Sequence, residues 1–210
     1  PFELRLVEGD PAEPLRRDGY VIAPFAVEHR VKAYGYAVVE DERLGRFDEQ
    51  RALELGVRAG PDFGRLHRGE TVPGADGDVR PEEVVGEARP GRKVVLTGDT
   101  VPCEMTRLVA YEADLLVHEA TFLDEEAERA VETRHSTARG AAELAAEAGV
   151  ALLALTHLSP RYGGGELKRE AREAFEQTIV PRDFDSVEVP FPERGGPVHL
   201  RADVRPVAAP

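Results

Sequence analysis

Only one cysteine occurs in the 210 residues, Cys103. That excludes an intrachain disulfide framework and a zinc site built on cysteine pairs, and it suits a reducing, cytoplasmic setting. Any metal must then be held by histidine and carboxylate. No run approaches eighteen consecutive apolar residues, so no segment is suited to span a membrane as a helix. Lysine is scarce: of 27 cationic residues, only Lys32, Lys93 and Lys168 are lysines. Arginine's planar fork suits phosphate contacts, although the same bias follows from a GC-rich genome. Net positive charge is lacking too. Asp and Glu number 40, and the balance of −13 argues against a generally basic nucleic-acid binder while leaving room for a local basic patch. The chain opens Pro1-Phe2-Glu3-Leu4, without a start methionine or a basic-then-apolar leader, and reads as the interior of a longer protein. Also missing is any histidine-rich run of the form H-x-H-x-D-H, which would supply several metal ligands at once.

What is present is enough apolar sequence, 41%, for one sizeable core. Phe2–Val7, Tyr20–Val27 and Tyr34–Glu40 read as strands, separated by Gly9-Asp10-Pro11 and Asp18-Gly19 turn chemistry. Residues 41–91 are polar and punctuated by Gly and Pro, with a short helical pattern around Asp48–Leu55. That is too long for an ordinary loop and predicts an inserted functional arm. From Lys93 the pattern is regular α/β. Lys93–Thr97, Asp114–Val117, Ala151–Thr156 and Ser186–Pro190 read as strands. Helices are expected over Glu104–Glu112, Asp124–Thr133 and Gly165–Phe175, and from a Ser136-Thr137 cap through Ala148 to a closing Gly149. The expected organisation is one α/β domain from residues 1–40 and 92–193, the arm and its connection at 41–91, and a Gly/Pro-rich tail at 194–210.

The chemistry-bearing residues share a position. Asp99, His118 and His157 each follow an apolar strand, as does His29, and ligands gather at the carboxyl ends of strands in α/β sheets. His135 stands just before a helix cap. Neutral imidazole suits zinc, and a carboxylate such as Asp99 can bridge two cations. A two-metal site of this kind activates water and clamps the oxygens of a phosphodiester, but His29, Asp99 and His157 are only about half the donors it takes. Each residue also has a plainer reading. A single histidine after a strand is more often a hydrogen-bonded turn residue, and Asp99 with Thr100 and Pro102 fits a helix cap. His118-Glu119 reads equally as a structural pair, and His67 and His199 as solvent-exposed.

Four segments in order, Lys93–Glu104 (KVVLTGDTVPCE), Asp114–Phe122 (DLLVHEATF), His135-Ser136-Thr137 and Leu155–Tyr162 (LTHLSPRY), resemble ribonuclease Z. This family of the metallo-β-lactamase superfamily cleaves the 3′ trailer from tRNA precursors. Val27–Tyr36 (VEHRVKAYGY) and Leu55–Val72 (LGVRAGPDFGRLHRGETV) extend the likeness upstream, so that it covers about residues 20–190. The resemblance implies the C-terminal part of an αββα sandwich with a protruding arm. It implies a site with two zinc ions when complete. His29 matches a ligand of one metal, Asp99 the bridging carboxylate and His157 a ligand of the other. His135 matches the residue that assists the leaving 3′ oxygen, with Glu119 orienting it, and His118 supports the site without binding metal. The arm would grip precursor tRNA through Arg43, Arg46, Arg51, Arg58, Arg65 and Arg68, with Gly60-Pro61 as a shaping turn, and a homodimer is implied. Interleaved acids (Asp41, Glu42, Asp48, Glu49, Glu54, Asp62, Glu70) also fit a solvated mixed-charge surface. Two other readings stay open: a superfamily hydrolase acting on small phosphodiesters or sulfate esters, and an inactive truncated binding or dimerisation module.

Overall fold

A computed structural model describes residues 13–202. The strand expected at Phe2–Val7 lies outside them. In chain order come β1 (Leu15–Arg17), β2 (Tyr20–Val27), β3 (Ala33–Glu40), α1 (Glu49–Glu54), α2 (Pro61–His67), β4 (Val72–Pro73), β5 (Asp78–Val79), β6 (Lys93–Leu96), α3 (Glu104–Val109) and β7 (Leu115–Glu119). There follow α4 (Ala127–Thr133), α5 (Ala138–Ala148), β8 (Leu153–Thr156), α6 (Gly164–Ala174), β9 (Thr178–Ile179), β10 (Ser186–Glu188) and β11 (Val198–Leu200). The chain divides into two compact units, one of Pro1–Val39 with Arg92–Pro210 and one of Glu40–Gly91.

The larger unit is built on a seven-stranded sheet in the order β1-β2-β3-β6-β7-β8-β9. β1 and β2 form an antiparallel hairpin through Asp18-Gly19, where Gly19 takes φ 82°, a conformation that glycine adopts without Cβ strain. β3 pairs antiparallel with β6, and β6, β7, β8 and β9 run parallel. The parallel strands put the chain exits of β6, β7 and β8 at one end of the sheet, which is where the site forms.

One sheet face is sealed by helices. Val95, Leu116, Leu153 and Leu155 meet Ala141, Ala142 and Ala145 of α5 and Leu167 and Ala171 of α6. The small alanine face of α5 lets it lie close to the sheet. Thr137 caps its first turn, its hydroxyl accepting from the Gly140 N–H at 3.0 Å, and Gly149 ends it at φ 66°. On the opposite face, Leu115, Leu152, Ala154 and Ile179 pack with Val94, Val117, Val187 and Val189. The same face carries Tyr36 and Leu96, cross-strand partners that stay 47% and 40% exposed.

The smaller unit has its own core of Ala52, Val57, Leu66, Val72, Val79 and Val84. Gly60-Pro61, expected as a turn, instead begins a helix. Gly60 is the N-cap of α2 at φ 124° and Pro61 its first residue, a position where the missing N–H costs nothing. The stretch expected as a tail from 194 holds a strand, since β11 pairs antiparallel with β10. Asp185 ties this hairpin down by accepting from the N–H groups of Arg182 and Ala202 and from His199 Nε2 at 2.8 Å. His199 is therefore mostly buried, against the expectation of exposure. His67 is half-buried, its Nε2 donating to the Gly45 carbonyl at 2.9 Å.

Candidate active site

The site is made of four chain exits and one loop. Asp99 leaves β6, Glu119 ends β7, His157 follows β8 and His29 follows β2. The β2 exit is tied to the loop after β6, because the Val101 N–H donates to the Glu28 carbonyl at 3.0 Å and the Glu28 N–H to Thr100 Oγ1 at 3.1 Å. The fifth piece is the turn between α4 and α5. There Arg134 adopts a left-handed conformation, φ 59°, that lifts the chain off α4 and delivers His135.

Glu119 organises these pieces. Its carboxylate is wholly buried and accepts from five donors. Oε1 takes the Thr100 N–H at 3.0 Å and His135 Nδ1 at 2.6 Å, and Oε2 takes the Thr121 N–H at 3.2 Å, the Thr121 hydroxyl at 2.8 Å and the Ser136 N–H at 3.1 Å. The Ser136 hydroxyl closes the ring by donating to the Thr100 carbonyl at 2.6 Å. Glu119 thus pins the loops after β6, β7 and α4 to each other.

The histidine tautomers follow from their partners. A carboxylate oxygen only accepts here, so His135 Nδ1 carries the proton it shares with Glu119, and Nε2 is the unprotonated nitrogen of the neutral ring. His29 Nδ1 donates to the Arg134 carbonyl at 2.9 Å, which leaves Nε2 bare in the neutral ring. His157 Nε2 approaches Asp99 Oδ1 at 3.6 Å, and the His157 ring stacks on that of His135 with centroids 5.3 Å apart. Ligand-type atoms of His29, Asp99 and His135 lie within 4.8 Å of one another. Glu119, His135 and His157 satisfy the same distance test, but five donors already occupy the Glu119 oxygens. That second group is a hydrogen-bond cluster, not a cage.

Burial divides the site. Glu119 is inaccessible and His135 only 12% exposed, whereas Asp99 and His157 are 42% and 48% exposed. The expected residues His29, Asp99, Glu119, His135 and His157 are brought together. His118 sits inside β7, fully buried on the helix-covered face, with Nδ1 donating to the Glu119 carbonyl at 2.8 Å and Nε2 without a partner among the described residues. Burial pushes its pKa down. Sequence reasoning gave Thr100 and Ser136 only helix-cap readings and did not single out Thr121 or the Arg134 carbonyl. The three hydroxyl residues stand beside Asp99, Glu119 and His135 in the same short motifs, which is the signal that would have found them. A backbone carbonyl leaves none.

The arm arginines lie in the smaller unit. Arg65 is held between Asp62 at 3.2 Å and Glu70 at 2.9 Å, Arg68 approaches Glu70 at 3.6 Å, and Arg51 approaches Glu54 at 3.5 Å. Arg43 donates to the Pro90 carbonyl from Nε and Nη2. Arg46 and Arg58 are exposed, with no ion pair among the described residues.

No family model matches the chain. Curated relatives do. Ribonuclease Z of Halorubrum lacusprofundi is 51% identical over 197 residues, 91% of this chain and 64% of that protein. Ribonuclease Z of Haloferax volcanii is 54% identical over 185 residues, 86% of this chain and 58% of that protein, and the one of Archaeoglobus fulgidus 43% identical over 195 residues. Two solved structures share the fold. The metallo-β-lactamase-fold protein YhfI of Bacillus subtilis superposes with a TM-score of 0.54 at 19% identity, over 83% of this chain and 51% of that one. Human tRNase Z, short form, gives 0.51 at 23% identity, over 84% of this chain and 44% of that one. The chain therefore has a metallo-β-lactamase fold and belongs to the ribonuclease Z family, spanning 58–64% of the length of the first two of these relatives.

Proposed function

We propose that this chain carries the proton-handling residues and part of the metal site of a zinc-dependent endoribonuclease that removes 3′ trailers from precursor tRNA. The observation that supports this most is the 2.6 Å bond between buried Glu119 and His135, whose ring lies against those of His29 and His157 and shares a 4.8 Å group with His29 and Asp99. In this reading, His135 acts from its doubly protonated state, giving its Nε2 proton to the leaving 3′ oxygen and ending as the neutral Nδ1–H ring. Glu119 holds the Nδ1 proton and stabilises the imidazolium, the division of labour found between base and orienter in catalytic triads.

The donor set fits zinc. His29, Asp99 and His157 would hold it: Asp99 shares a 4.8 Å group with His29 and lies 3.6 Å from His157 Nε2, and imidazole and carboxylate are ordinary zinc donors. Zinc held there would supply a Lewis acid and a nucleophile at neutral pH. Three donors are fewer than two zinc ions take, and the relatives are longer, so the remaining ligands are expected from a stretch of the relatives that this chain does not span. The exposed Tyr36 and Leu96 mark a sheet face on which such a stretch would pack. The smaller unit is the tRNA-gripping arm, with Arg46 and Arg58 among its exposed cations that have no ion pair among the described residues, and the working assembly is a cytoplasmic homodimer. Among the described residues no helix is long and apolar enough to cross a membrane.

The test is trailer cleavage by a protein extended to the length of the relatives. Replacing Asp99, His157 or His135 with Ala should abolish most of the activity, with metal content reduced only in the first two. Unchanged cleavage by Asp99→Ala or His157→Ala would overturn the assignment.

A further inference from the structure

Thr121 stands between two residues that the proposed function uses. Its hydroxyl lies 2.8 Å from Glu119 Oε2, 2.9 Å from His157 Nδ1 and 3.2 Å from the His157 carbonyl. A hydroxyl has one hydrogen and two lone pairs, so only one of these partners can receive its proton. The carboxylate is both the nearest acceptor and the strongest. Once that hydrogen is committed, the short approach to His157 Nδ1 is favourable only if the imidazole donates. The proton order is then fixed as His157 Nδ1–H to Thr121 Oγ1, and Thr121 Oγ1–H to Glu119 Oε2.

We propose that Thr121 is a positioning residue that transmits the acceptor character of Glu119 to His157, so that one buried carboxylate sets the tautomers of both His135 and His157. Glu119 acts on His135 directly through Oε1 and on His157 through the Thr121 hydroxyl at Oε2. In each ring the proton is drawn to Nδ1. For His157 this leaves Nε2 as a lone pair on the Asp99 side, the state required for metal ligation, and bonds of this kind beyond the ligands typically govern metal affinity about 10–100-fold.

The backbone supports the same role. His157 has φ 54°, which costs a non-glycine residue energy and persists where neighbours over-determine it. The neighbours are again those of Thr121: the Ser159 N–H donates to the Thr121 carbonyl at 3.3 Å, and the Ala120 N–H to the Thr156 carbonyl at 2.9 Å. The relay therefore both aims the ring and selects the nitrogen that faces outward. The metal part of the proposal rests on the zinc reading above. The tautomer part rests on the hydrogen bonds alone.

The experiment is long-range ¹H–¹⁵N correlation on the ¹⁵N-histidine-labelled, metal-free chain at about pH 8, above the ordinary histidine range. In the wild type, His157 and His135 should both show the Nδ1–H pattern. A His157 ring with its proton on Nε2 would overturn the proposal without any variant, so it is testable even if substitutions at Thr121 fail to fold. Thr121→Val, of matching shape, should move His157 toward the Nε2–H form while leaving His135 on Nδ1–H. Thr121→Ser should restore the wild-type pattern. Zinc titration of the same three proteins should give a loss of about 10–100-fold for Thr121→Val and recovery with Ser. An unchanged His157 tautomer in folded Thr121→Val would refute the relay. Neither readout needs RNA, so failure of the nuclease reading and failure of the relay are distinguishable.

Discussion

Replacing Glu119 with Gln tests whether the carboxylate is the organising group of the site. The substitution keeps the shape but turns one acceptor oxygen into a donor amide, in a place where all five neighbours are donors. If the amide nitrogen takes the Oε2 position, it opposes two backbone N–H groups, those of Thr121 and Ser136, and only the Thr121 hydroxyl can turn away. If it takes the Oε1 position, His135 can respond by moving its proton to Nε2 and accepting at Nδ1, which leaves only the Thr100 N–H opposed. The second arrangement is cheaper. One buried N–H without an acceptor costs about 1–3 kcal/mol, and the remaining bonds weaken from charge-assisted to neutral strength. Relief from burying a charge offsets part of this. The net destabilisation should be about 3 kcal/mol, read as a lower urea midpoint at unchanged slope. His135 should also change to the Nε2–H tautomer. A destabilisation below about 1 kcal/mol with His135 still protonated on Nδ1 would refute the account of Glu119 as the hub.

Three further outcomes follow from Asp185, from His118 and from the pair Arg46 and Arg58. The Asp185 carboxyl is lowered from 3.8 to about 2, chiefly by the Arg182 and Ala202 N–H groups, with His199 adding to them. A depressed carboxyl stabilises the fold above its ordinary value and loses that contribution as the pH falls toward about 2, so Asp185→Asn should flatten acid unfolding in that window, and an unchanged acid limb would contradict it. Burial lowers the His118 pKa, so the unfolded chain takes up a proton that the folded chain refuses. Stability should therefore fall as the pH drops below the ordinary histidine value of 6.5, and His118→Leu should remove that slope in urea titrations at several pH values. In a protein extended to the relatives' length, Arg46→Ala with Arg58→Ala should weaken precursor-tRNA binding and shallow its salt dependence by about 0.7–0.9 for each phosphate left without its arginine. Cleavage of a small chromogenic phosphodiester should stay unchanged, and equal effects on both substrates would favour a small-molecule hydrolase.

Long, strongly patterned elements were legible in the sequence. Tyr20–Val27 is β2 with the bounds its apolar run suggests, and the Thr137 cap and Gly149 stop bracket α5 as their chemistry predicts. Local signals are complete there. Two-residue strands such as β9 have no period to read, because their existence depends on a neighbour's register, here Leu153 with Thr178. β11 was hidden for the same reason beneath Gly195-Gly196-Pro197, which reads as a tail until Asp185 is seen to hold its far end. His67 and His199 looked exposed because a lone histidine in polar sequence gives no hint of the carbonyl or carboxylate that folding brings to it. The strand-end placement of His29, Asp99 and His157 was visible in the sequence, since apolar runs ending in polar residues mark the carboxyl edge of a parallel sheet. Which nitrogen each ring presents was not, because it depends on Thr121, Glu119 and a carbonyl at Arg134 that no pattern encodes.

The fold holds the two parts of the site differently, and the difference matters for function. Glu119 and His135 are fixed by buried hydrogen bonds whose removal costs several kcal/mol in aggregate, so their geometry is preorganised before any ligand arrives. Asp99 and His157 are more than two-fifths exposed, and their mutual approach at 3.6 Å is looser than a hydrogen bond. Exposed side chains of this kind adjust at small energetic cost, which suits the metal-binding role proposed for them. His135, in its proposed role as proton donor, needs the opposite property, since a displacement of about 1 Å can cost a large factor in rate. Thr121 joins the two regimes: its hydroxyl belongs to the rigid cluster around Glu119 and its lone pair to the exposed ring of His157. Through that one atom a fixed carboxylate can orient an exposed ligand without burying it, leaving His157 Nε2 accessible and its tautomer decided in advance.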